Sequence, residues 1–428
     1  MDQQHRAEFA SNKEMEKTNL RSSHERSRVS EFSVLSRNSF LIVFLVNMIL
    51  FMGTSLPTPL YRLYGVELSL SSTLTTVIFA SCPIAIIPSL FLFGPLGDIW
   101  GRKRVLIAAV IVAIVGNALL VISQGWPWLV LGRIGQGVAV GAASGNATAA
   151  MIEFEPNGNK RRASQMAGIS LFSGLVIGPL LSGFMAEWLP APTRLVFLVD
   201  MVLLMIVLGI LFTLKETSIF SGVRAALYRF SITTDTKLCF LSMSLSTGFA
   251  YALSGLYFSL MPAYAEALLK GSIGLGSAIV SLMVFVSMVI QLVIPGIQPK
   301  RLVIIGQLSM ASGLALVVLA QIQVSAVILF FGAAICGIAY GATFLGGIAA
   351  INAISPKGQR GSVTSSFYAI AQLFLAVPIV ILGFAMESVN VLYAVKYFAL
   401  VLSIVAVVNM VLVSLLNLNC GTEKNISQ

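Results

Sequence analysis

Two charged residues stand where charge is costly. Arg133 lies six residues after Pro127 in an otherwise apolar, glycine-rich run, roughly 9 Å from the end of that run if it is helical. Asp200 is the one acid clearly inside an apolar run. An ion held in hydrocarbon must face a partner or a wet cavity. Asp200 is therefore the candidate to load and release a proton, and Arg133 the candidate to respond to that charge or to bind an anionic group. Local alternatives exist: Arg194, six residues before Asp200, could neutralise it, and Gln136 or backbone carbonyls could hold Arg133. Both histidines, His5 and His24, fall in the polar N-terminal stretch, so a proton carrier inside the apolar region has to be a carboxylate.

A second cluster sits between two apolar runs, in GPLGDIWGRKRVL from Gly94 to Leu106. Gly94 and Gly101 allow helix ends to approach and turn tightly. Asp98 offers a carboxylate to a helix terminus or to the basic residues Arg102, Lys103 and Arg104. Glu153, at the end of a later run, is a further partner for Arg102. The pattern is that of a hinge with a charge lock, and Gly94, Asp98, Gly101, Arg102, Lys103 and Glu153 are its candidate gating residues.

The elements that must position these groups follow from composition. Of 428 residues 57% are apolar and 10% charged, as in a membrane protein. The formal charge of +10 comes from short loops between apolar runs, which fits a membrane charge bias and excludes nucleic acid as a partner. Cys82, Cys239, Cys336 and Cys420 are scattered singly, suggesting neither a disulfide framework nor a zinc site. Breaking the runs at charges, Pro and Gly predicts twelve transmembrane helices near 39–61, 72–96, 104–124, 127–153, 165–188, 195–214, 238–264, 273–297, 302–322, 324–351, 361–386 and 391–416. Of the 27 Lys and Arg, only Arg62, Arg194, Lys270 and Lys396 fall in one set of loops, and Arg133 within a span. The rest lie on the other side, which places both termini in the cytoplasm. The expected organisation is a cytoplasmic tail (1–38), a six-helix bundle (39–214), a cytoplasmic linker (215–237), a second six-helix bundle (238–416) and a short tail (417–428). The expected location is the plasma membrane, a bacterial inner membrane, as a multi-pass monomer in the lipid bilayer.

The halves repeat each other. Gly137/Gly337, Gly141/Gly341, Pro156/Pro356 and Gly158/Gly358 match at one offset, and GFMAE from Gly183 pairs with GFAME from Gly383. With the loop signature matched by Gly94, Leu96, Asp98, Gly101, Arg102 and Lys103, and a second matched in span 4 by Arg133, Gln136 and Gly137, the chain resembles a major facilitator superfamily transporter. A third signature, in span 5, is matched by Gly174, Gly178, Pro179 and Gly183, with Ser182 in place of a glycine. That motif accompanies drug:proton antiporters, so the resemblance implies export. Two departures stand out. Span 1 carries the uncharged Asn47 where such exporters often have an acid, and the loop after span 8 keeps Gly296, Lys300 and Arg301 without an acid.

Such a fold places a substrate cavity between the halves at mid-membrane. The candidate lining is Asn47, Gln136, Tyr257, Met261, Tyr340, Phe344, Tyr368 and Gln372, with Tyr264 and Phe367 beside them. Almost uncharged, it suits amphipathic or weakly polar molecules. The expected activity is proton-coupled export of a small molecule by alternating access, with no cofactor and no metal. The alternatives are export of an anionic metabolite such as a siderophore, to which Arg133 would be suited, and a non-transporting receptor or scaffold on the same fold. No nucleophile and base are paired as an enzyme would need. Glu67, Glu187, Glu266 and Glu387 read as solvated rims.

Overall fold

The computed structural model describes residues 37–214, 234–294, 297–355 and 360–415. The N-terminal tail apart from Arg37 and Asn38, nearly all of the linker, and the C-terminal tail lie outside them. All regular elements among the described residues are α-helices. In hydrocarbon a helix satisfies its own backbone, so long apolar runs have this one solution.

Span 1 is not a single rod. It divides into α1 (Arg37–Ser55) and α2 (Leu60–Glu67), because Pro57 and Pro59 bring no N–H to the helical ladder. Its repeat equivalent, span 7, divides at Leu260 into α9 (Thr234–Ser259) and α10 (Met261–Leu269), with Pro262 in the first turn of α10. The other elements of the first half are α3 (Ser72–Phe93), the short α4 (Leu96–Trp100), α5 (Arg102–Val121), α6 (Trp126–Glu153), α7 (Lys160–Trp188) and α8 (Pro192–Phe212). The second half continues with α11 (Ile273–Val293), α12 (Pro299–Gln323), α13 (Ala326–Ile354), α14 (Arg360–Ala385) and α15 (Val391–Leu415).

Eleven of these helices are long and apolar enough to cross a membrane. The long helix outside that set is α6, with 28 residues. Arg133, Gln136, Asn146 and its many glycines lower its hydropathy, and it lies against α3 and α5 with those polar groups buried. It is a span that faces protein more than lipid.

The repeat is visible in the packing. Gly137 and Gly141 of α6 lie on Cys82, Ile86 and Ser89 of α3, while Gly337 and Gly341 of α13 lie on Met283, Ser287 and Ile290 of α11. The seams between the halves obey the same relation with the partners exchanged: Gly183 of α7 sits on Ser277 of α11, and Gly383 of α14 on Thr76 of α3. Lys103 donates to the carbonyls of Phe212 and Leu214 at the end of α8, as Lys300 does to Ser414 at the end of α15. Each lysine thus caps the negative end of the last helix of its half. Cys82 and Cys336 are buried thiols.

The glycine seams predict a stability effect. Gly137→Val sets a branched side chain against the Cys82 carbonyl and the Ala85 side chain, where backbone cannot give way cheaply. It should cost about 1–3 kcal/mol, seen as a fall of several degrees in thermal unfolding of the solubilised protein. Gly209→Ala, with nothing within 4 Å, should leave unfolding unchanged.

Candidate functional site: a one-sided chamber and a buried polar chain

A cavity of about 1040 Å³ lies between the halves and opens on the face that carries Asp98 and Arg102. Its depth is lined by Asn47, Phe51, Phe172, Tyr251, Phe344 and Tyr368, with Gln372 beside them. Among the described residues its charged lining is Asp98, Arg102 and Arg161, all at helix ends on the open face. Phe172 of α7 meets Tyr340 and Phe344 of α13 at ring distances of 5.9 and 6.0 Å, and Tyr251 of α9 meets Tyr340 at 5.6 Å. This aromatic cluster joins the halves at the closed end. Asn47 donates to the Ser170 hydroxyl at 2.7 Å and leaves its Oδ1 without a partner.

Four of the proposed lining residues are at the chamber wall: Asn47, Phe344, Tyr368 and Gln372. Tyr257 and Met261 are fully buried away from it, Tyr340 stands behind Phe344, and Gln136 belongs to another site. Phe51, Phe172 and Tyr251 were missed by sequence reasoning. One aromatic in an apolar helix looks like any other until the helix's rotation is known.

Arg102 donates through Nε to Glu153 at 2.6 Å and through Nη2 to Asp98 at 3.1 Å. This ties α4, α5 and α6 of the first half together. Gly101 makes the turn into α5 with φ 97°, a left-handed value that favours glycine, and Gly94 sits at the chamber wall. The charge cluster is formed within one half and lines the open mouth.

The opposite face is closed by contacts that cross the halves. Arg62 of α2 pairs with Glu266 of α10. Glu387, after α14, accepts from the Thr73 N–H in the first turn of α3 at 3.2 Å, and Glu187, near the end of α7, lies on Gly274 in the first turn of α11. The two glutamates are repeat equivalents, each set over the positive end of a helix of the other half. Glu187 and Glu387 are exposed, as Glu67 is and as the sequence suggested, but at this rim they also touch the opposite half; Glu266, paired with Arg62, is half-buried.

Behind the chamber wall lies the second site. Asp200 of α8 accepts through Oδ2 from Asn117 of α5 at 2.6 Å. Asn117 Oδ1 accepts from Gln136 of α6 at 2.8 Å, and Gln136 Oε1 accepts from Arg133 at 2.7 Å. Gln136 also donates to the Gly53 carbonyl at 3.0 Å and Arg133 to that of Thr54 at 2.8 Å. All four side chains are buried, and Asp200 Oδ1 and Arg133 Nε have no hydrogen-bond partner. Arg194 is exposed, and the partner Asp200 takes is Asn117. Arg133 and Asp200 are thus linked through two amides, and Asn117 is the link the sequence reading lacked. Gly174 and Gly178 of α7 pack on Met48, Met52 and Ser55 of α1 from the other side, with Pro179 inside α7.

Residues 43–298 match the sequence profile of the Major Facilitator Superfamily. The chain belongs to that family. It is a multi-pass membrane protein of a transporter family rather than an enzyme. It is 38% identical over 96 residues to an uncharacterised MFS-type transporter of Mycobacterium tuberculosis, covering 22% of this chain and 14% of that one. It is 25% identical over 156 residues to the quinolone resistance protein NorA of Staphylococcus aureus, covering 36% of this chain and 39% of NorA. The matches therefore span well under half the length of these relatives. The fold resembles the inward-open xylose transporter XylE of E. coli, with a TM-score of 0.68 at 14% identity over 86% of this chain and 94% of that one.

The Thr73 side chain and N–H lie against Glu387 and hold its carboxyl below the usual carboxylate range, with Ser71 adding to the effect. A lowered value means that the contact is intact above the ordinary carboxylate range and is lost as pH falls through the lowered one. Glu387→Gln should mimic that loss at neutral pH. Thr76, buried beneath Gly383 in this seam, reports it: thiol labelling of Thr76→Cys should speed up roughly two- to fivefold in the Glu387→Gln background. An unchanged rate would mean the glutamate does not hold the seam.

Proposed function

We propose that the protein is a proton-coupled secondary transporter that exports a small amphipathic molecule, uncharged or weakly polar, by alternating access. The reading rests on the coexistence of a chamber open on one face and a buried carboxylate linked to a buried arginine outside that chamber. The charge bias of the loops supports a cytoplasmic Asp98 face, and a bacterial inner membrane is part of the same proposal. In this conformation substrate enters the chamber from the cytoplasm, against aromatic rings and free amide oxygens. Asp200 carries the proton and Arg133 senses it. Release follows when the seam at Arg62–Glu266 opens and the mouth at Asp98–Arg102 closes. Proton and substrate drive the cycle only through different affinities for the two states.

The relative NorA bears the name of a quinolone resistance protein, which supports a drug-like substrate for this chain. The anionic-metabolite reading loses the residue that favoured it, because Arg133 is committed to Gln136 and Thr54 and does not line the chamber. No observation favours a receptor or scaffold over a transporter.

The test is transport in proteoliposomes with an imposed pH gradient and a panel of neutral, cationic and anionic aromatic amphiphiles. Neutral or weakly polar members should move against proton entry, and Asp200→Asn should cut gradient-driven flux roughly tenfold or more. Binding to the solubilised protein should change less than about threefold. Flux that ignores the gradient would remove antiport from the reading.

A further inference from the structure

The buried chain ends on an unusual pair of carbonyls. In a continuous helix the Gly53 carbonyl would accept from residue 57 and that of Thr54 from residue 58. Residue 57 is proline and has no N–H, and the Thr58 N–H bonds instead to Ser55 at 3.1 Å. The two freed carbonyls are taken by Gln136 and Arg133. These side chains therefore cap the C-terminal end of α1, and the positive guanidinium sits at the negative end of its dipole. Just beyond the break is α2, which carries Arg62 and its bridge to Glu266 on the other half.

The order of donors and acceptors is fixed from both ends. A carboxylate oxygen of Asp200 accepts, so Asn117 presents its NH2 there and its oxygen to Gln136. Gln136 in turn gives its NH2 to Asn117 and Gly53, and its oxygen to Arg133. Asp200 Oδ2 also lies against the Gly53 backbone, where a Cβ would come within 2.6 Å of it. The ionisable and charged groups around the chain are Arg133 on α6, Tyr61 and Tyr64 on α2, and Cys82 on α3. Arg194, on α8 itself, is exposed.

We infer that Asn117 is a positioning residue that couples the charge of Asp200 to the α1–α2 break, and through it to the Arg62–Glu266 closure. The inference rests on Asp200 being the proton carrier. With the proton on Oδ1, Oδ2 keeps its bond to Asn117, the α1 cap is complete and the Arg62 face is shut, as in this structure. Without the proton, Asp200 is a buried anion whose oxygen Oδ1 has no donor, and the cation along the chain is Arg133. Asn117 and Gln136 must give up their present bonds for the two charges to approach. The Gly53 and Thr54 carbonyls then lose their donors, the break loosens, and α2 is free to carry Arg62 away from Glu266. Proton loss thus favours opening toward the side to which substrate is released, as exchange requires.

The experiment measures the separation of spin labels at Val66→Cys on α2 and Ala267→Cys on α10, both exposed. It uses the full-length chain in lipid nanodiscs, with Cys82, Cys239, Cys336 and Cys420 each replaced by Ala. Between about pH 5.5 and pH 8.5 the fraction with the longer separation should rise roughly threefold or more. Asp200→Asn should hold the short distance at both values. Asn117→Leu, similar in size but without hydrogen bonds, should reduce the response to under about a third of the wild-type amplitude. Should it fold poorly, Pro57→Ala serves instead: it supplies the N–H that Gly53 lacks, frees that carbonyl from Gln136 and should blunt the response likewise. A full response in Asp200→Asn overturns the carrier assignment and the inference with it. A response lost in Asp200→Asn but intact in Asn117→Leu or Pro57→Ala overturns the coupling alone. A wild-type distance that ignores pH overturns it outright.

Discussion

A backbone carbonyl that loses its helical donor inside a membrane must find another, and span 1 loses two in succession at Gly53 and Thr54. Leaving such a group dry and unpartnered costs roughly 1–3 kcal/mol or more. This constraint explains why α6 carries two long polar side chains one turn apart, Arg133 and Gln136, in a largely apolar helix rich in glycine and alanine. Their bonds fix α6 against the end of α1. They also oblige a polar residue on α5 to accept from Gln136, and Asn117 does so. Asp200 then completes the series on α8. Four helices are thereby held by one sequence of hydrogen bonds that starts from a proline.

Glycine makes the series geometrically possible. A Cβ at Gly116 of α5 would collide with the Gly132 carbonyl and crowd the Gln136 N–H, so the two backbones are in direct contact beside Asn117. At that separation an asparagine can touch both Gln136 and Asp200. On the other side, Gly174 and Gly178 bring α7 onto the backbone of α1 around Met48, Met52 and Leu56. The short α1–α2 break is thus gripped between α6 and α7, with little side-chain slack to absorb a change at one end. In apolar surroundings such packing by small residues supplies the association that hydrophobic burial supplies in water.

How much of this was legible in the sequence depends on whether a residue's role is carried by its own chemistry or by the rotation of its helix. Arg133 and Asp200 announce themselves because charge in an apolar run needs an explanation, and the repeat is visible because Gly and Pro fall into register. The Gly101 turn follows from residue type alone. Asn117 was invisible, since one asparagine in an apolar run is cheap if it faces any polar group, and what it faces is decided by contact at Gly116. The same blindness affects the aromatics. Tyr257 and Phe344 differ in function only by which side of the helix meets the chamber. On α14 the wall does carry a polar stripe, Ser362, Thr364, Ser365 and Gln372, but serines and threonines are also spread along α9, so polarity alone does not single it out. Span 4 was placed as an apolar run between breaks, although its hydropathy falls below that of the others, because a helix enclosed by protein can afford polarity that a lipid-facing one cannot. Glu187 and Glu387 were read as exposed rims and are exposed, but their partners are the first turns of helices in the opposite half, which no local pattern displays.

The two faces are held by unequal means, and the inequality suits a protein that must change state. At the mouth, Arg102 joins Asp98 and Glu153 within one half. At the closed face Arg62 and Glu266 bridge the halves with side chains 43% and 22% exposed, and a pair so accessible contributes about 0–1 kcal/mol. Inverting a two-state population from 1:99 to 99:1 takes about 5.5 kcal/mol of differential affinity. Weak exposed contacts leave that task within reach of a bound molecule or a single buried charge. A strong buried bridge across the seam would put it out of reach. The buried amides and the glycine contacts of α6 with α3 and α5, of α7 with α1 and of α13 with α11 make each half rigid, whereas between the halves glycine contacts are made at Gly183 and Gly383. That seam is left breakable, so a modest change at the end of α1 can decide which face is open.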